Sequence, residues 1–180
     1  MRFSEDAVTY RPITVRPHEA VRLPWIIWSA LALIALTIVG AIVVAPIAQA
    51  AGYSSFALTI YKIFSFVCHQ IPERSFHIAG HQFAVCSRCT GLYSGLAFAT
   101  LAYPLARPLK RTSTPRIIWL ILSALPLLID FSLGYFSIWH NNHFTRFTTG
   151  ALLGAVAVFY IVPGFVELTS NLSQRWYRRT

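Results

Sequence analysis

The chain has 180 residues, 56% of them hydrophobic and only 12% charged, with 15 Lys and Arg against 6 Asp and Glu. A soluble domain of this size carries about a quarter charged residues, so the composition excludes a water-soluble enzyme or binding module. The net charge of +9 lies at the edges of apolar runs, where it marks membrane topology and not a nucleic-acid footprint.

Residues 1–23 are polar, contain Pro12 and Pro17, and read as a loosely ordered cytoplasmic arm. No charged side chain follows between Leu23 and Tyr61. A membrane-spanning helix needs roughly 20 apolar residues to cross the ~30 Å hydrocarbon core. The first run, about 24–48, meets that length, and Trp25 and Trp28 suit the inner interface at its start. Pro46 followed by Ala48-Gln49-Ala50 resembles a signal-peptidase site. The apolar run is longer than a secretory h-region of ~7–15 residues, so an uncleaved anchor is expected.

Tyr53–Val67 is too short to cross. Phe56, Ile60, Ile63, Phe64 and Val67 recur at helical spacing opposite Ser55, Thr59 and Lys62. That pattern predicts a helix lying in the outer interface, with an extension of the outer loop as the competing reading. The second span, about 90–106, is short but gains length if its helix begins near Phe83. The third and fourth spans are expected at about 117–139 and 147–168, followed by a basic tail over 169–180. Gly91 and Gly95 in the second span, and Gly150 and Gly154 in the fourth, form small-xxx-small faces that let helix backbones approach.

Eleven of the 15 basic residues lie before the first span, between the second and third, or after the fourth. Four spans place all of these in the cytoplasm, whereas three or five would split the terminal clusters. The expected fold is therefore an all-α membrane protein with four transmembrane helices and a short interfacial helix on the outer side. Residues 24–168 form its transmembrane domain. Both termini are expected in the cytoplasm of a cell with this chain in its inner membrane, the lipid bilayer being the one partner implied.

All three cysteines and five of the six histidines fall in two polar breaks that this topology puts on the outer side. Cys68, His69, His77, His81, Cys86 and Cys89 occupy the first break, His140 and His143 the second. Cys86 and Cys89, two residues apart, can share a metal or close a small redox disulfide. With Cys68 and the adjacent His69 they make a four-ligand set for zinc. The competing chemistry is thiol–disulfide exchange through Cys86 and Cys89, with Cys68 resolving and a quinone as acceptor; a structural disulfide is the third possibility. His77 and His81 would share a face if that segment were helical.

Asp130 lies in the third span, where an unpaired acid costs at least ~2.5–3.5 kcal/mol. Arg146, at the start of the fourth span, is its expected ion-pair partner. A proton or ion path through Asp130, in a transporter or assembly factor, is a further alternative. If the site is catalytic, Arg74, Arg88, Asp130 and Arg146 are the residues to orient an anionic or lipid-headgroup substrate, since guanidinium favours planar anions.

Cys68-His69-Gln70, Pro72, Arg74-Ser75, Cys86-x-Arg88-Cys89-x-Gly91-x-Tyr93-x-Gly95, Asp130 and Arg146-x-x-Thr149-Gly150 together carry a resemblance. Over Cys68 to Gly154 the chain resembles a prokaryotic family of small polytopic membrane proteins catalogued as a domain of unknown function. The resemblance implies a membrane protein with a shared Cys, His and Arg site. It implies no particular activity.

Overall fold

The structure, a computed structural model, describes residues 17–136, 138 and 141–177. His140 and most of the N-terminal arm lie outside these residues. Five helices make up the fold: α1 (Pro17–Ala50), α2 (Ser54–Ser65), α3 (Ser87–Ala106), α4 (Ile118–Tyr135) and α5 (His143–Tyr177). A 3-10 turn, Pro72–Arg74, and a two-residue hairpin, β1 (His77–Ile78) with β2 (His81–Gln82), sit between α2 and α3. Among the described residues, three helical stretches are long and apolar enough to cross a membrane: Arg22–Ala50, Ile118–Tyr135 and His143–Leu172.

Among the described residues α1 is helical from Pro17 onward, so it includes seven residues, 17–23, of the expected arm. It buries Ile27, Ala35, Ile42 and Ala45 along one stripe and leaves Ile26, Leu33, Ile34 and Val44 exposed, as a helix with lipid on its outer side does. At its end Gly52 adopts φ +88. The N–H groups of Tyr53 and Gly52 then donate to Ala48 and Gln49 carbonyls at 2.9 and 3.2 Å, a glycine-closed helix end. The turn folds α2 back so that Ile60 and Phe64 pack on Ile42 and Ala45. Phe56, Ile63 and Val67, expected on the same apolar face, are exposed. They would meet lipid and not the bundle.

Two helix-interior prolines tie α1 to the α3 region. Pro46 has no N–H to give the Ile42 carbonyl, and that carbonyl accepts the Ala84 N–H at 3.4 Å. Pro104 likewise leaves the Thr100 carbonyl without its usual donor, and Trp28 Nε1 donates to it at 2.7 Å. The pairs 42 with 84 and 28 with 100 run in opposite senses, so α1 and α3 are antiparallel. Each proline removes one helical bond and frees the acceptor for a bond between segments.

α3 and α5 run parallel and nearly touch. A Cβ on Gly91 would lie 2.0 Å from the Phe147 carbonyl oxygen, and one on Gly95 2.1 Å from that of Ala151. On the facing helix, a Cβ at Gly150 or Gly154 would lie 2.2 or 2.1 Å from the Arg88 or Leu92 oxygen. All four glycines of the two small-residue motifs thus lie in one seam, where any larger side chain is sterically excluded. α4 returns antiparallel beside α5, with Tyr160 Oη donating to the Arg116 carbonyl at 2.8 Å near one end. Most of its apolar surface, including Trp119, Leu122, Ile129 and Phe131, is exposed.

Candidate functional site

The cysteines are brought together by the loop between α2 and α3. Cys68 follows α2, Cys86 is the extended residue capping α3, and Cys89 lies in its first turn. Their sulfurs all lie within 4.8 Å of one another, with Cys68 buried and the other two half-buried. Around them pack Ile42, Ala45, Phe64, Val85 and Tyr93. The Cys86 N–H donates to Cys68 Sγ at 3.3 Å. The Cys86 thiol is itself held far below the ordinary thiol range. Hydrogen bonds from Cys68 and then Cys89 are the cause, and they outweigh desolvation.

His69 does not join this group. It is exposed, and the ligand atoms that gather are the three sulfurs alone. Successive residues of a non-helical chain face opposite ways, so burying Cys68 turns His69 outward. Gln70 then reverses the chain at φ +50. Its amide donates to the Tyr61 and Ala84 carbonyls, both at 2.7 Å. Gln82 Nε2 donates back to the Gln70 carbonyl at 3.2 Å. Gln70 is thus the staple between α2 and the segment entering Cys86, a role sequence reading missed. We expect Gln70→Ala to cost about 1–3 kcal/mol, because two carbonyls lose their donor. The thermal midpoint in detergent should fall accordingly.

His77 and His81 are not helical. In the hairpin His77 pairs with Gln82 and Ile78 with His81. Directly paired residues share a face and neighbours alternate, so the two imidazoles project from opposite faces. They do not form a second metal site. The intervening Ala79 and Gly80 both have positive φ, +50 and +80, the geometry of a tight hairpin turn.

Asp130 pairs with Arg88 and not with Arg146 as expected. α4 runs up beside the first turn of α3, and the Arg88 guanidinium also lies 5.6 Å from the centre of the Phe131 ring, a cation–π contact. The pair is largely covered, its side chains 21% and 10% exposed. Asn141 Nδ2 donates to the Asp130 backbone carbonyl. Asp130→Asn would strand the guanidinium and should cost on the order of 3 kcal/mol. The double variant with Arg88→Gln should cost less than the two single changes summed, measured by detergent-phase unfolding.

The two polar breaks do meet. Ser87 Oγ donates to the Arg74 carbonyl at 2.9 Å and lies 2.8 Å from His143 Nδ1. A carbonyl can only accept, so the single hydroxyl proton goes to Arg74 and His143 Nδ1–H donates to Ser87. Phe76 packs on His143 and Phe147 at ring separations of 5.5 and 6.0 Å. Arg74, Arg88 and Arg146 line one small cavity of about 40 Å³ with Asn141, Phe131 and Tyr135. The sequence-selected charges therefore gather on the α4 side of α3, while the sulfurs face α1 and α2.

Three thiolates on one zinc at ~2.3 Å in tetrahedral geometry stand about 3.8 Å apart. The observed separations need less than about 1 Å of closure to reach that. The donor set fits a soft or borderline cation.

The family model described as Predicted membrane protein (DUF2085) matches residues 68–160. That span starts at Cys68 and includes all three sulfurs, the three arginines and Asp130. An uncharacterized protein of Methanocaldococcus jannaschii is 36% identical over 112 residues, covering 62% of this chain and 72% of that one. An uncharacterized protein of Methanothermobacter thermautotrophicus is 40% identical over 91 residues, 51% of this chain and 80% of its own. No solved structure matches the chain. With half of its length inside the family model and more than two thirds of each relative covered, the chain belongs to the DUF2085 family of membrane proteins.

Proposed function

We propose that this is a four-span membrane protein that holds a zinc-type metal ion through Cys68, Cys86 and Cys89 at its outer face, with both termini in the cytoplasm. The observation that carries the metal reading is the convergence of all three sulfurs within 4.8 Å. A disulfide would consume two of them and leave the third unexplained. Zinc held by three protein ligands keeps a fourth position for water or substrate and acts there as a Lewis acid. Ile42, Phe64 and Val85 keep bulk water from the sulfurs, and the amide of Cys86 steadies Cys68. Arg88, engaged by Asp130, leaves the charge of the thiolates to the metal.

Four spans are supported by α3 running parallel to α5, which itself qualifies as a span. α3 is less apolar because it lies inside the bundle, with Thr90, Gly95, Thr100 and Tyr103 buried. Orientation follows from Arg107, Lys110, Arg111 and Arg116 at the end opposite the cysteines.

Metal analysis of purified protein together with thiol counting tests this. One metal per chain and three thiols released on denaturation with chelator is the expected result. The same sulfur proximity also permits thiol–disulfide exchange, in which Cys86 and Cys89 would close a disulfide and pass two electrons and two protons to a quinone. Metal-free protein with one titratable thiol would replace the metal reading with that one.

A further inference from the structure

The arginine cavity on the other side of α3 has no part in the metal site. Three guanidinium side chains face it, and among the described residues a single carboxylate, Asp130, accompanies them. Asp130 is engaged by Arg88, so a charge near +2 is left around the cavity, with Arg88 and Arg146 half-buried and Arg74 exposed. Among the described residues, Arg88 Nε and Arg146 Nε are both buried without a hydrogen-bond partner, as is Asn141 Oδ1. Buried polar atoms are ordinarily satisfied, and like charges gather only where something compensates them. Arg88 lies in the first turn of α3 and Arg146 in the first turn of α5. The positive ends of two long helices therefore border the same cavity.

Beside it, between α4 and α5, a groove of about 400 Å³ is lined by Pro126, Ile129, Leu133 and Thr145, with Asp130 at the junction. Asn141 lines both spaces. A compact polar pocket rich in guanidinium thus adjoins an apolar groove that opens sideways. Guanidinium suits oxyanions because its paired N–H groups match their oxygens.

We propose that Arg74, Arg88 and Arg146 bind a phosphate group, with the groove between α4 and α5 taking the hydrocarbon of a lipid that carries it. The cavity is small, and its three guanidinium groups converge on a space suited to a compact oxyanion. Arg74, the most exposed of the three, closes the pocket from the water side. Arg88 keeps its bond to Asp130 and offers its remaining N–H groups. This site is independent of any metal at the cysteines.

Delipidated protein in dodecyl maltoside, a phosphate-free detergent, is titrated calorimetrically with inorganic phosphate, with dihexanoyl phosphatidic acid and with acetate. Saturable binding of phosphatidic acid, tighter than that of inorganic phosphate, is expected, with none of acetate. Binding of inorganic phosphate with no gain from the acyl chains would keep the phosphate site and reject the lipid as its source. Arg146→Gln and Arg74→Gln should each weaken binding roughly tenfold or more. Arg74→Gln touches neither the Arg88–Asp130 pair nor the helix seam, so it remains informative if Arg146→Gln fails to fold. Absence of binding by both phosphate probes, equal binding of acetate, or unchanged affinity in a folded Arg74→Gln protein would overturn the proposal.

Discussion

Replacing any one of Cys68, Cys86 or Cys89 with serine is expected to abolish the proposed metal binding, whereas His69→Ala should leave it unchanged. Structural zinc sites are worth about 10–16 kcal/mol in apparent binding energy. One thiolate of three then accounts for roughly 3–5 kcal/mol, or two to four orders of magnitude in affinity. Serine keeps the size but is not ionised near neutral pH, so packing around Ile42 and Phe64 is little changed. Metal per chain, measured on equal amounts of monodisperse protein, separates the variants. The His69 control matters because a four-ligand site built on Cys68-His69 predicts a loss at both positions. Outward projection of His69 predicts a loss at only one.

The second large effect is expected in the glycine seam. Gly95→Ala would put a methyl group 2.1 Å from the Ala151 carbonyl oxygen, and Gly150→Ala one 2.2 Å from that of Arg88. Backbone cannot yield as a flexible side chain does, so the helices must separate by about an ångström. Overpacking of this kind costs ~1–3 kcal/mol and sometimes more. A larger residue such as Leu at Gly95 should abolish folding. Gly40 and Gly164 are helical controls with nothing within 4 Å of an added Cβ. Alanine there should be neutral or slightly stabilising, since it removes a flexible residue from a helix. Thermal midpoints of the four variants in detergent give the comparison directly. Because Arg88 and Arg146 sit at the top of the same seam, Gly150→Ala should also loosen the arginine cavity.

Much of this was legible in the residues themselves. Long uncharged runs can only be satisfied by helices in an apolar medium, and the small-xxx-small spacing points to a close approach of α3 and α5. The cysteines read as one cluster because polar breaks between spans concentrate at a membrane face. What was not legible was side-chain direction. His69 adjoins Cys68 in sequence, yet the turn at Gln70 sends the two apart. His77 and His81 are spaced for one helical face but lie in a hairpin that splits them. Asp130 has two arginines within reach, and proximity in the chain favoured Arg146. Packing of α4 against the start of α3 selected Arg88. Pro46 reads in the sequence as part of a cleavage site, and Pro104 gives no signal there. Their effect is to free carbonyls at Ile42 and Thr100 for Ala84 and Trp28, which required knowing what lies opposite.

The central claim is that three sulfurs from two ends of one loop share a single metal ion. X-ray absorption at the zinc edge of protein purified without added metal tests it most directly. Three sulfur scatterers at about 2.3 Å, with one lighter atom completing the set, is the expected result. Bound metal surrounded only by nitrogen and oxygen, or protein free of metal with two of its cysteines joined, would contradict it.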